Sequence, residues 1–131
     1  MKYIYTAVFT PNEDNTKFYA RIPDLPGCIT TGSSLEDAID QITDAASGWL
    51  VVAEDEELDI PKATRQAIVN RSENDFLSLI LVDTISYRAA TDKKAVRKNV
   101  SLPKWMAVLA DKAGINCSKL LQESLMKKFR T

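Results

Sequence analysis

Ile22-Pro23-Asp24-Leu25-Pro26-Gly27-Cys28-Ile29-Thr30-Thr31-Gly32-Ser33-Ser34-Leu35-Glu36-Asp37-Ala38 is the stretch of this 131-residue chain whose reading decides the fold. Two prolines fix φ and restrict the residues before them, so Pro23–Gly27 is a rigid non-helical connection. Cys28–Thr31 then reads as a short strand, ended by Gly32. Ser34 is a good helix N-cap, and Asp37 three residues on makes a weaker form of the capping box. Upstream, Tyr3–Thr10 alternates, with Tyr3, Tyr5, Ala7 and Phe9 on one face and Ile4, Thr6 and Val8 on the other. Pro11–Asn15 is turn chemistry. Lys17–Ile22 alternates again, with Phe18, Ala20 and Ile22 sharing a face, so a hairpin precedes the proline-rich connection.

Downstream, Leu35, Ala38, Ile39, Ile42, Ala45, Ala46, Trp49, Leu50 and Ala53 recur at three and four residues as one apolar helical stripe. Gly48 weakens that helix, which suggests a close approach to the sheet at this point. Glu54–Glu57 and Asp59 make an acidic exit, stopped by Pro61. Residues 62–75 carry no clear period and have room for one short helix. Phe76–Tyr87 reads as a long fourth strand, with Leu77, Leu79, Leu81, Ile85 and Tyr87 on one face. The order β-β-β-α-β makes a small α+β layer of one helix on one sheet.

Arg88–Ala95 is polar and aperiodic, and marks a linker between a unit at 1–87 and one at 96–131. Charge changes sign there. Residues 1–91 hold seven basic and fifteen acidic side chains, a net of −8, whereas residues 92–131 hold ten basic and three acidic, a net of +7. The formal charge of −1 for the whole chain conceals two regions suited to different partners.

Composition narrows the function further. There is no histidine, which removes the commonest general base and metal ligand together and excludes serine triads, histidine-dependent ribonucleases and zinc hydrolases. Cys28 and Cys117 stand far outside any zinc spacing and read as small buried hydrophobes of a reducing compartment. No metal and no cofactor is expected. The first ten residues carry no apolar core of a signal peptide, and runs such as Leu79–Val82 are too short for a membrane span, so a cytoplasmic protein without a membrane partner is expected.

The tail carries its own grammar. Val96-Arg97-Lys98-Asn99-Val100-Ser101-Leu102 alternates and stops at Pro103, which suits the first position of a helix. Trp105, Met106, Leu109, Ala110 and Ala113 form that helix's apolar face, and Gly114 sits where a left-handed closing residue belongs. Asn116 caps a second helix, in which Cys117, Leu120, Leu121, Leu125, Met126 and Phe129 face inward. One strand and two helices cannot bury enough apolar surface alone, and a lone strand leaves its hydrogen bonds open. A two-fold homodimer answers both needs: the strands pair antiparallel and the four helices interlock. Such a ribbon fits the DNA major groove. Val100 and Leu102 turn toward the helices, so Arg97, Asn99 and Ser101 point outward together, and Arg and Asn pair bidentately with guanine and adenine edges. The start of the second helix, Asn116, Cys117 and Ser118, offers backbone N–H groups to a phosphate. Val96–Phe129 thus resembles the ribbon-helix-helix family of DNA-binding domains, with Lys98 departing from its pattern where an inward apolar residue is expected. A plain helical dimerisation tail with a basic solvated face is the simpler alternative.

The stretch Ile22–Ala38, with the strand ahead of it and the Ile39–Leu50 helix behind it, resembles the signature of the HicB family of antitoxins. That resemblance implies a cut-down ribonuclease H-like N-terminal fold, and it implies two partners. One is a HicA-type toxin, a small basic ribonuclease; the other is operator DNA of the operon encoding the pair. Asp24 and the exit acids Asp55, Glu56, Glu57 and Asp59 are candidates for the toxin-facing surface, although residue by residue a solvated helix exit explains the latter better. Two other classes remain to be weighed. An active nuclease would need converging carboxylates, and Asp14, Asp24, Glu36, Asp37, Asp40 and Asp44 do not form a strand-borne pair, so no catalytic residue is expected. A free-standing repressor with a small-ligand-sensing N-terminal unit is the second.

Overall fold

In the computed structural model, which describes residues 1–130, β1 (Lys2–Pro11), β2 (Phe18–Arg21) and β3 (Ile29–Gly32) lead into α1 (Leu35–Asp55). A single 3-10 turn at Gln66–Ile68 precedes β4 (Phe76–Asp83), then come α2 (Thr84–Thr91), α3 (Lys104–Lys112) and α4 (Cys117–Phe129). The strands form one sheet in the order β3-β2-β1-β4, every neighbouring pair antiparallel. This is the mixed α+β class.

β1 is central because its length allows pairing on both sides: Lys2–Phe9 with Asp83–Phe76, and Val8–Pro11 with Arg21–Phe18. α1 lies across one face. Ala38, Ile42, Ala46 and Leu50 meet Tyr5, Ala7, Phe9, Ala20 and Ile22 from the sheet, so both apolar periods read from the sequence converge on one interior. Burying a residue such as Ile42 or Leu50 contributes about 1.5–3 kcal/mol. The helix begins as the capping chemistry requires: Ser34 Oγ accepts from Asp37 N at 3.0 Å, while Asp37 Oδ2 accepts from Ser33 N at 2.8 Å. Gly32 is obligatory, because a Cβ there would lie 2.3 Å from the Ala38 backbone nitrogen.

Several expectations are corrected. The fourth strand ends at Asp83, so Ile85 and Tyr87 lie on α2. Asp83 caps that helix, with Oδ1 accepting from Ile85 N at 3.1 Å and Ser86 N at 3.2 Å, and those bonds replace the sheet ladder. Gly48 does not face the sheet: its nearest neighbour is Tyr87 Oη, 3.6 Å from where a Cβ would stand. Cys28 is buried as expected, but Cys117 is exposed.

α2 carries the chain to Thr91, so the expected linker Arg88–Ala95 is helical over its first four residues, and residues 92–103 have no regular structure before α3. Val96–Leu102, expected as a strand, is not one in the single chain, where no second strand lies beside it to accept its hydrogen bonds. The tail's helices end as their residues dictate. Gly114 adopts φ 66° and Ile115 N reaches Ala110 O at 3.0 Å, while Asn116 Oδ1 accepts from Lys119 N at 3.1 Å. Thr131, the last residue of the expected 96–131 unit, lies outside the described residues.

Candidate functional site

The tail presents an open apolar cleft of about 630 Å³. Trp105, Met106, Leu109 and Ala110 line it from α3 and Ala113 from its C-cap, with Leu120 and Leu121 from α4. These are the side chains whose spacing predicts an inward face, yet no residue of either helix is buried, and Trp105 is 63% exposed. From the segment ahead of α3, Lys98, Val100 and Leu102 line the same cleft. Arg97, Asn99 and Ser101, the alternate positions, are exposed and stand apart from its lining. Lys98 therefore keeps the register of the alternation despite its charge, since its aliphatic stem can cover apolar surface while its ammonium stays in water.

At the start of α4, Asn116 Oδ1 already takes the Lys119 N–H. Cys117 and Ser118 retain the backbone N–H groups of the first turn, and their side chains border the cleft.

The acidic candidates divide. Asp24 is half-buried and committed to structure, accepting from the Thr64 backbone N–H at 2.8 Å and from its hydroxyl. Asp55 pairs with Arg88 at 2.8 Å. Glu56, Glu57 and Asp59 are exposed, and none of them takes an ion pair among the described residues.

Sequence reading missed the group at the centre of this region. Glu54, placed in a solvated exit by its neighbours, is half-buried in the last turn of α1 and ties three elements, β1, α1 and α2, together. Its Oε2 accepts from Tyr3 Oη at 2.8 Å and Thr84 Oγ1 at 3.0 Å, and its Oε1 from Arg88 at 3.1 Å. Burial pushes its pKa up, but the hydrogen bonds from Tyr3, Arg88 and Thr84 outweigh that and hold it below the ordinary 4.5. Tyr3 is pushed up to about 12, first by burial and then by its bond to Glu54. The signal that could have found Glu54 is periodic: it stands four residues beyond Leu50 and one beyond Ala53, at the edge of the buried stripe.

Other carboxylates are held just as firmly. Asp75 accepts from Thr10 Oγ1 at 2.7 Å and Ser72 N at 2.9 Å, and Asp83 accepts from the first turn of α2 and from Arg130 at 3.3 Å. Among the described residues no three of His, Cys, Asp and Glu converge as metal ligands would. No helix among them is long and apolar enough to cross a membrane.

A family model described as the HicB-like antitoxin of bacterial toxin–antitoxin systems matches residues 5–122. Among solved structures, the chain is similar to one from a toxin–antitoxin complex of Streptococcus pneumoniae, with TM-score 0.59 and 19% identity over 98% of this chain and 99% of that one. It is also similar to the Burkholderia pseudomallei antitoxin HicB, with TM-score 0.50 and 20% identity over 95% of this chain and 96% of that one. The antitoxin HicB3 gives the same TM-score and identity over the same shares. At these identities the likeness is one of fold. No protein with a curated function matches the chain.

Proposed function

Because the chain belongs to the HicB-like antitoxin family, and is thus an antitoxin of a toxin–antitoxin system, we propose a division of labour between its two oppositely charged regions. Residues 1–87 bind a basic HicA-type ribonuclease and cover its active face. Residues 96–131, joined by the segment 88–95, form a ribbon-helix-helix homodimer that binds operator DNA and represses the operon of the pair. The protein works in the cytoplasm, without catalysis and without a cofactor.

The single observation that carries the DNA-binding half is the alternation at the cleft. Lys98, Val100 and Leu102 border an apolar cleft left open in one chain, and Arg97, Asn99 and Ser101 are displayed away from it. A second copy closing that cleft brings two such segments side by side and buries the exposed helix faces. The paired segments then present their Arg and Asn side chains to base edges, with the first turn of each α4 (Asn116, Cys117, Ser118) near the flanking phosphates. The net charge of +7 on residues 92–131 favours DNA by counterion release. The −8 on residues 1–91 speeds encounter with a basic toxin. In this scheme the N-terminal unit keeps a ribonuclease H-like shell, and the carboxylates inside it, Asp24, Glu54, Asp75 and Asp83, serve structure.

The test is a gel-shift titration of full-length protein on its own promoter DNA. Replacing both Arg97 and Asn99 by alanine removes two bidentate contacts of about 1–3 kcal/mol each, a loss of roughly 30-fold or more. Inhibition of the toxin should stay intact. Undiminished, salt-insensitive operator binding by the double variant would sink the proposal.

A further inference from the structure

Gly48 occupies the middle of α1, where glycine is markedly less favourable than alanine. At Gly32 the chain's own packing explains the glycine; at Gly48 it does not, since a Cβ would make only an ordinary 3.6 Å contact with Tyr87 Oη. Without a side chain, this stretch of helix leaves its backbone open to a group approaching from outside the chain. Gly48 borders an outward groove of about 530 Å³ walled by Trp49, Val52, Leu58 and Tyr87. The wall is preset, because Trp49 Nε1 donates to Pro26 O at 3.0 Å. Its apolar surface is open: Val52 is 51% and Leu58 54% exposed.

The rim of the groove is acidic at both ends. Asp44 borders it, and Asp40 and Glu36 continue from Asp44 in four-residue steps along one line of α1, about 12 Å long at 1.5 Å per residue. At the other end Leu58 stands between Glu56, Glu57 and Asp59. None of these six carboxylates has an ion-pair partner among the described residues. An apolar groove inside an unpaired acidic rim, on a region of net −8, is complementary to a basic protein that leads with an apolar side chain.

We propose that this groove on the outward side of α1 is the docking site for the basic toxin, with an apolar toxin side chain resting against the Gly48 backbone and Lys or Arg side chains on Asp40, Asp44 and the acids around Leu58. The assignment rests on the antitoxin role above and gives it a place. It leaves Asp24 and Asp55 as structural groups.

Titration calorimetry with the full-length chain and the purified HicA-type toxin of the adjoining reading frame tests it. Gly48→Leu fills the groove and should weaken toxin binding at least tenfold, with operator binding and the dimer unchanged. Gly48→Ala should raise the unfolding midpoint by about 2–8 °C, since nothing in the chain resists the methyl group. The double variant Asp40→Lys, Asp44→Lys lies on exposed positions and decides the matter should Gly48→Leu fail to fold; it too should bind the toxin at least tenfold more weakly. Toxin affinity unchanged in the double variant and in a folded Gly48→Leu protein overturns the docking site and leaves the antitoxin role standing. Loss of self-association in place of toxin binding assigns the groove to a second copy and overturns it as well. Absence of toxin binding by the unaltered chain defeats the antitoxin role itself, and the docking site with it.

Discussion

The sheet layer and the tail carry apolar stripes of similar quality, yet only one of them closes within the chain. Phe9, Ile42 and Leu50 are 0% exposed beneath α1, whereas Leu109 of α3 is 56% exposed and neither α3 nor α4 contains a buried residue. The contrast shows what an amphipathic period does and does not encode. It states that a face must be covered, and α1 has a sheet on hand to cover it. It does not state who supplies the cover. In the tail, 36 residues leave their apolar faces open, and the proposed second copy would close them.

That contrast can be broken most drastically at the cleft. Leu109→Asp places a charge in the proposed dimer interior and should abolish both tail association and operator binding, seen by sedimentation and gel shift, while the sheet layer unfolds at its usual denaturant midpoint. A variant that stays dimeric would mean that the cleft is not where the copies meet. The reciprocal change, Leu50→Ala, leaves a cavity under α1 and should lower the stability of the sheet layer by about 2–5 kcal/mol, with operator binding nearly unaffected below the new transition. If both regions lose stability together, they are one cooperative unit and the contrast is false.

The smallest effect is on pH. Glu54 has a folded pKa below 4.5, so the stability it supplies is complete above 4.5 and is lost as pH falls through the lower folded value. Asp75 and Asp83, held below their ordinary 3.8, add to the same acid limb. Tyr3 behaves oppositely: its folded pKa of about 12 exceeds the ordinary 10.0, so stability is complete below 10 and declines between 10 and 12. Circular dichroism of Glu54→Gln should show a flatter acid limb than the unaltered chain; an identical limb would remove Glu54 from the account.

Legibility followed the range of the interaction. Ser34, Gly114 and Asn116 act on backbone groups within a few residues, and each does in space what its residue type promises. The stripe from Ala38 to Ala53 is local too, and it found its sheet. Where two local signals competed, the weaker-looking one won: Ile85 and Tyr87 prolong the alternation of β4, but Asp83 supplies a cap for two N–H groups at once. Long-range partners left little trace. Nothing near Asp24 announces Thr64, forty positions on, and nothing near Glu54 announces Tyr3 or Arg88. For the proposed DNA surface, alternation alone separates Arg97, Asn99 and Ser101 from Lys98, Val100 and Leu102. Gly48 lies away from the sheet: a helical glycine permits close approach without saying from which side.

The pairing of β1 with β4 has a consequence in time. Lys2 lies opposite Asp83, so the first strand to be synthesised stays incomplete until residues some eighty positions later have been added. At about 5–20 residues per second that delay is roughly 4–16 s, through which β1 waits on the ribosome, joined in its second half by the α1 stripe, with no finished sheet to receive them. Neutralising capacity would then arise late and abruptly along each polypeptide. Translation interrupted before Asp83 would yield fragments without a finished sheet, and the supply of active antitoxin would follow elongation past β4 more closely than initiation.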